Sequence, residues 1–252
     1  MTLALSALLL AGGGDVQAFD SVTAACRQRP EQCARVAGQE AVVPTVKGGA
    51  EVASAAATLR VLTAETKSAL ERALVECVQW AHAEVNLRHF GGQSPTRAQC
   101  LEVRIKADPC GREVTRGMQL GREKHELALQ CARDRLSTLI PGRFSLEQRY
   151  RYDRRTGQKQ LLSEQEARAL LQKGCGDELV GTLVPDVVIH SENPLEIEAV
   201  YDFKFPCPSS NAPKWSPYPE GHPYGRRNQG EMYREALSSS VWSVSPVWGI
   251  SP

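Results

Sequence analysis

The sequence has no long hydrophobic run and almost no net charge, and these two absences exclude two classes of protein. Its longest apolar stretch, Leu3–Ala11, is far shorter than the roughly 20 residues of a transmembrane helix, so we expect no membrane span. The 30 basic and 29 acidic side chains leave a formal charge of +1, which excludes a uniformly basic nucleic-acid coat protein. The balance of 42% hydrophobic and 23% charged residues is typical of a globular chain.

Two common spacings of metal ligands are also missing. No CxxC pair occurs among the eight cysteines, and Cys26/Cys33 and Cys100/Cys110 are too widely spaced for a zinc knuckle. The His125-Glu dipeptide is not followed by the second histidine of HExxH, which argues against a zinc metalloprotease. We therefore expect disulfides formed in an oxidising compartment, with Cys26–Cys33 and Cys100–Cys110 as plausible local loops. Buried free thiols are the alternative interpretation.

The N-terminal segment resembles an export signal. Leu3–Ala11 has the apolar character of a signal-peptide core, and Val16-Gln-Ala18 offers a small-residue cleavage site, although the usual basic start is absent. The other interpretation is a buried first helix. We divide the chain into a signal peptide at 1–18, a helical, cysteine-containing N-terminal region with a linker at 19–111, and a main domain at 112–252. A signal together with disulfides predicts a protein that is secreted or delivered to a target cell.

After residue 112 the pattern predicts an α/β (α+β) domain, a mixed central sheet flanked by helices, with a helical N-terminal extension. The expected helices have periodic apolar residues and end near glycine or proline, and they are 116–139, 163–173 and about 227–239. The expected strands are apolar or alternating, and they are 144–152, 183–190, 197–205 and 241–250.

Two of these strands carry charges where a core strand should not. Asp186 lies in Leu-Val-Pro-Asp-Val-Val-Ile, and Asp202 and Lys204 lie in Ala-Val-Tyr-Asp-Phe-Lys-Phe. A turn centred near Pro194 would place Asp186 opposite Asp202, and the alternation of a strand puts Asp202 and Lys204 on one face. Two carboxylates suit Mg²⁺ or Mn²⁺, and the adjacent ammonium could orient or activate a water. An ordinary Asp–Lys ion pair at a strand edge is the alternative.

Two helices add further polar groups. On the long helix, Gly121 precedes His125 by four residues, and a glycine there would allow the helix to approach the sheet closely. The last helix places Gln229 and Tyr233 on one face at spacing i and i+4. Each feature alone is weak, because helical histidines and Gln–Tyr pairs are common in structural positions.

In the order GxxxH, PD, DxK and QxxxY, these motifs resemble the PD-(D/E)XK nuclease superfamily, and within it the RecB and Cas4 branch. The resemblance covers about residues 116–250 and implies a restriction-endonuclease-like core. It implies that Lys204 is catalytic together with the two aspartates. It further implies metal ligation by four groups: the side chains of His125, Asp186 and Asp202 and the carbonyl of Phe203.

The same resemblance assigns Gln229 and Tyr233 to supporting the site or contacting the phosphate backbone. The third motif has Asp where Glu is commoner, and Glu123 or Glu126 are alternatives to His125 as the helical ligand. The cysteines do not match the positions of the Cas4 iron–sulfur cluster, so we expect no cluster.

The sequence therefore predicts a Mg²⁺-dependent deoxyribonuclease. Residues 112–160 contain 12 basic and 6 acidic side chains, a local excess suited to a phosphate backbone. The arginines expected to bind substrate flank the first strand and the last helix, and they are Arg149, Arg151, Arg154, Arg155, Arg226 and Arg227. With an export signal, and assuming a bacterial source, such an enzyme would be an antibacterial toxin with a cognate immunity protein as partner. The alternative is a secreted, disulfide-stabilised binding protein on an inactive nuclease-like fold.

Overall fold

The computed structural model describes residues 62–238 and 240–252. All of them belong to the unit Ser54–Pro252. The expected signal peptide and the Cys26/Cys33 pair lie outside the described residues. Within the described ranges, no helix is both long enough and apolar enough to cross a membrane.

Five α-helices in the described part share one mode of initiation. In each, the residue before the first turn accepts a hydrogen bond through its side-chain oxygen from the backbone N–H three positions further on. Such a cap stabilises a helix by about 1 kcal/mol, which explains why these helices begin where Thr, Ser or Asn occurs. The helices are α1 (Ala64–Phe90), α2 (Arg97–Leu101), α3 (Arg116–Leu139), α4 (Glu164–Lys173) and α5 (Gln229–Ala236).

The strands of the described part form three sheets. The central sheet has five strands in the order β10-β9-β8-β7-β3, and it is mixed because β8 and β9 are parallel while the other neighbours are antiparallel. A three-stranded sheet has the order β5-β4-β6, and β1 pairs with β2. The strands are β1 (Val103–Ile105), β2 (Val114–Thr115), β3 (Phe144–Leu146), β4 (Arg149–Asp153), β5 (Gln158–Leu162), β6 (Thr182–Leu183), β7 (Val187–His190), β8 (Ile197–Phe203), β9 (Val241–Ser245) and β10 (Gly249–Ser251). The expected mixed α+β architecture is confirmed.

Both faces of the central sheet are buried, each against different helices. Alternate residues of β7 and β8, such as Val187 and Tyr201, belong to the same core as the apolar faces of α1 and α3. The intervening residues, Val188 and Val200, belong to the core that includes Met232 of α5. Helix α1 thus completes the core on one face of the sheet, although it precedes the strands of that sheet in the sequence by many residues. Because side chains alternate between the two faces of a strand, strand residues in phase with Val188 and Val200 point toward α5.

Four expectations about the chain path are wrong. The segment 183–190 is not one strand, because β6 ends at Leu183 in the three-stranded sheet and β7 of the central sheet begins only at Val187. The segment 144–152 is not one strand, because Glu147 adopts a left-handed backbone (φ 49°) and directs β3 and β4 into different sheets. The segment 241–250 is a hairpin of β9 and β10, with Gly249 at φ 65°. A Cβ added at Gly121 would meet nothing within 4 Å, so this glycine does not mediate close packing of α3 on the sheet.

Three disulfides connect elements that are distant in the sequence, and every cysteine of the described part is paired. Cys100 bonds to Cys207 rather than to Cys110, so the expected local loop is wrong. The other two pairs are Cys77–Cys131 and Cys110–Cys175. Cysteine spacing cannot reveal such pairs because each one depends on how the helices pack on the sheet. Free thiols are excluded for these six positions.

Candidate active site

Strands β7 and β8 bring the two predicted aspartates together. Val187 lies opposite Tyr201 and Val188 opposite Val200, so one further step along each chain from the Val187–Tyr201 pair reaches Asp186 and Asp202. Asp186 immediately precedes β7, just after Pro185, which cannot donate a ladder hydrogen bond. Its position, like that of Asp202, falls on the side of the sheet that faces α5. The pairs from Val187 to Ile189 have the register that a turn centred near Pro194 predicts, and a shift between Ile189 and His190 offsets the pairing by one residue next to the turn.

Lys204 and Asp202 form a buried ion pair. The Lys204 Nζ lies 2.6 Å from Asp202 Oδ2, and the two side chains are only 15% and 4% exposed. Lys204 Nζ also donates to Gln229 Oε1 at 2.6 Å. On the other carboxylate oxygen, Asp202 Oδ1 accepts from Tyr233 Oη at 3.1 Å and from Gln229 Nε2 at 3.3 Å. The four residues of DxK and QxxxY thus form one closed hydrogen-bonded ring.

Tyr233 connects this ring to the start of the PD motif. Its hydroxyl accepts from Gln229 Nε2 at 2.8 Å and lies 2.9 Å from the carbonyl oxygen of Val184, to which it donates in alternation with Asp202. The side chain is 1% exposed, so these polar contacts replace water. Tyr233 therefore fixes the orientation of Asp202 rather than reaching toward solvent.

Asp186 joins the backbone of β8 to the long helix α3. Its Oδ2 accepts from the Phe203 backbone N–H at 2.5 Å, and its Oδ1 lies 3.5 Å from His125 Nδ1. The imidazole of His125 packs edge-on against the Phe205 ring at 5.1 Å. The GxxxH histidine is thus placed beside the PD carboxylate. Glu123, one of the two alternatives to His125 as the helical ligand, contacts His89 instead, with Oε2 2.7 Å from His89 Nε2.

The close charges perturb both an acid and a base. Burial raises the pKa of Asp202 to about 6, and the negative charge of Asp186 adds to this, although Lys204 opposes both effects. Burial acts to lower the pKa of His125, but the hydrogen bond and charge of Asp186, together with the charge of Asp202, outweigh it and the pKa is raised. The negative charge of Asp186 contributes to both shifts, and a bound cation would neutralise it.

A divalent cation fits the donors of this site in chemical type. Carboxylates, a neutral imidazole and a carbonyl oxygen are ligands for such ions, and neighbouring ligands of one small cation lie about 3 Å apart. The 3.5 Å separation of His125 Nδ1 from Asp186 Oδ1 approaches that value. Among the described residues, however, no three His, Cys, Asp or Glu side chains already form a cation cage. Asp202 would have to exchange its contact with Lys204 for the ion.

Trp215 covers Lys204 and was not expected from the sequence. The Lys204 Nζ lies 4.7 Å from the centre of the Trp215 ring, and this ring packs edge-on against Tyr233 at 6.1 Å. A Cβ at Gly230 would come within 2.6 Å of the Trp215 ring, so only glycine allows this position. The sequence gives no signal for this contact, because Trp215 lies in a loop without a periodic pattern.

Two of the arginines predicted to bind substrate have partners within the fold. Arg154 pairs with Glu235, with Nε 2.8 Å from Oε1, and Arg149 Nη1 donates to Thr182 Oγ1 at 2.7 Å. Arg226 and Arg227 are exposed just before α5, and neither forms an ion pair with a described carboxylate. The expected basic excess is therefore partly neutralised within the fold.

The comparisons with known proteins do not identify a relative. Searches of family models, of curated proteins and of solved structures found no match to this chain. The function proposed below therefore depends on the geometry of the site.

Proposed function

We propose that this protein is a divalent-cation-dependent nuclease that hydrolyses phosphodiester bonds of DNA, with a restriction-endonuclease-like core of the PD-(D/E)XK type. The observation that carries the proposal is the closed ring of Asp202, Lys204, Gln229 and Tyr233 beside the Asp186–His125 pair. A surface ion pair would not be buried, and a structural one would not require a second carboxylate opposite it.

In this mechanism, His125, Asp186, Asp202 and the carbonyl of Phe203 would hold Mg²⁺ or Mn²⁺. A bound cation neutralises phosphate charge and makes a water nucleophilic at neutral pH. Lys204 acts on the reacting groups, where its ammonium orients the water or stabilises the charge that develops on the phosphate. His125 must be neutral at Nδ1 to serve as a ligand.

Gln229 and Tyr233 act as positioning residues. The Gln229 carboxamide accepts from Lys204 and donates to Asp202, so it holds the ammonium at the end of β8. Tyr233 restrains the same carboxylate from the side of α5. Because these side chains are already fixed in the folded protein, little reorganisation is needed when a phosphate arrives.

The cysteines support the proposed compartment. Three disulfides suit an oxidising environment, and they support a protein that is secreted or delivered to another cell. A nuclease that is secreted or delivered to another cell would be an antibacterial toxin, and a cognate immunity protein would protect the producing cell.

A second candidate is a secreted binding protein on an inactive nuclease-like fold. The observation that favours it is the contact of Lys204 Nζ with Asp202 at 2.6 Å, which occupies an oxygen that a metal ion needs. In that case the buried Lys204–Asp202 ion pair contributes only to the stability of the fold.

Plasmid cleavage with Mg²⁺ or Mn²⁺ distinguishes these candidates. We expect wild type to cut, and Asp202→Asn and Lys204→Ala to lose about 100-fold or more of the rate. The matched control is Glu198→Gln, since Glu198 lies on β8 and pairs with Arg143 at 2.7 Å. Cleavage at equal rates by all variants would reject the assignment, and absence of cleavage by wild type with either cation would favour the binding protein.

A further inference from the structure

A cavity of about 670 Å³ opens directly beside Lys204, and none of the motifs accounts for it. This volume is within the range of ligand sites, about 300–1,000 Å³. Three of its lining side chains are cationic, none is a carboxylate, and Asn211 adds an amide. The cationic side chains are Arg97, Lys204 and Lys214. The lining therefore favours an anionic ligand.

Two of these cations are uncompensated. Lys204 is paired with Asp202, but Arg97 and Lys214 form no ion pair with any carboxylate in the part of the chain that the structure describes. Both side chains are exposed and free to contact a ligand. Unpaired cations in a concave surface raise the local concentration of anions.

The position of Arg97 is fixed by covalent structure. Arg97 begins α2, and Cys100 of the same helix is joined to Cys207, three residues after Lys204. The junction is also packed tightly against α3, because a Cβ at Gly117 would lie 3.0 Å from the Cys100 carbonyl oxygen and 3.4 Å from the Cys207 Cβ. The disulfide thus places a cation from outside the region of resemblance at the same cavity as Lys204.

We propose that this cavity binds the phosphates of the nucleic-acid strand next to the bond that is cut, through Arg97 and Lys214. The inference rests on the proposed function, and it names the path of the strand on one side of the reacting phosphate. The two contacts are to phosphate oxygens, so they provide affinity and register without base specificity.

The test measures binding of a short fluorescent oligothymidylate by anisotropy in the presence of EDTA, so that cleavage does not interfere. Each phosphate contact with a single strand contributes about 0.7 to the slope of log K against log salt. Arg97→Ala/Lys214→Ala should therefore lower the slope by about 1.4 and weaken binding about 25-fold at roughly 0.1 M salt. Arg97→Lys/Lys214→Arg should bind nearly as wild type.

The matched control is Lys67→Ala/Arg72→Ala, which removes one lysine and one arginine that are likewise exposed, from helix α1. Equal weakening by both double variants would show only an effect of net charge and overturn the proposal. Unchanged binding by the cavity variant, or no binding by wild type, would overturn it as well. Plasmid cleavage by wild type separates the two claims: an active enzyme with an unaffected cavity variant refutes the cavity, and an inactive wild type refutes the nuclease.

Discussion

Replacing Lys204 should destabilise the fold as well as abolish catalysis, because its partner is buried. Asp202 is 4% exposed, and Lys204→Ala leaves its carboxylate facing Asp186 without the compensating ammonium. Removing one member of a buried ion pair typically costs about 3–5 kcal/mol. Asp202 keeps its hydrogen bonds from Tyr233 and Gln229, so we expect the lower end of this range, about 3 kcal/mol at neutral to alkaline pH.

The stability lost in Lys204→Ala should be larger at alkaline than at acidic pH. The pKa of Asp202 is raised to about 6, above its ordinary value of 3.8, so the folded protein binds this proton more tightly than the unfolded chain does. Acidification through pH 6 therefore favours the folded state at this residue. Lys204→Ala should lose most stability near about pH 8 and much less near about pH 5, where the carboxyl is protonated.

Urea denaturation followed by tryptophan fluorescence at the two pH values measures this effect. The double variant Asp202→Asn/Lys204→Ala should recover most of the stability but none of the activity, because the uncompensated charge is gone. Lys67→Ala is the control, since the exposed Lys67–Glu71 pair contributes about 0.5 kcal/mol or less. Identical midpoints for wild type and Lys204→Ala at the higher pH would show that Lys204 does not stabilise the fold by compensating the buried charge of Asp202.

Three further predictions concern separate features. Gly230→Ala should displace the Trp215 ring, costing about 1–3 kcal/mol of stability and changing its fluorescence; an unchanged spectrum and midpoint would contradict the packing. Cys110→Ala/Cys175→Ala should lose about 4 kcal/mol in urea, since the disulfide closes a separation of 65 residues; retention of the full free energy of unfolding would contradict the loop-entropy argument. Burial and then the charge of a neighbouring lysine lower the pKa of His82 to about 4, so the contribution of His82 to stability should fall from about pH 6.5 to 4, opposite in sign to that of Asp202. In thermal melts His82→Gln should therefore be more stable relative to wild type at about pH 4 than at about pH 7; the same difference at both pH values would exclude His82 as a source of pH dependence.

The parts of the fold that depend on local chemistry could be predicted from the sequence. Helix α3 begins and ends as expected because Thr115 caps its start and Pro141 follows its end. The contact of Asp202 with Lys204 follows from strand alternation, and their closeness to Asp186 follows from the register of one short hairpin.

What depends on tertiary packing could not be predicted. The partner of Cys100 is 107 residues away, and only the folded arrangement of α2 and the segment after β8 brings the two sulfurs together. Trp215 and Lys214 lie in a loop with no period, so nothing in the pattern indicated that they approach Lys204. The break at Glu147 was hidden because Phe144 and Leu146 before it and Tyr150 and Tyr152 after it keep the same alternation, with only the polar Gln148 between them.

The packing of α1 also limits how this protein can be shortened for laboratory use. Leu70, Leu74 and Val78 fill one side of the sheet, and Cys77 of the same helix is bonded to Cys131 of α3. An expression clone starting at residue 112 would expose that side of the sheet to water and leave three cysteines, Cys131, Cys175 and Cys207, without their partners. Such a fragment would be prone to aggregate. A transfer of residues 112–252 to another carrier protein should therefore include the whole chain from Leu62 onward.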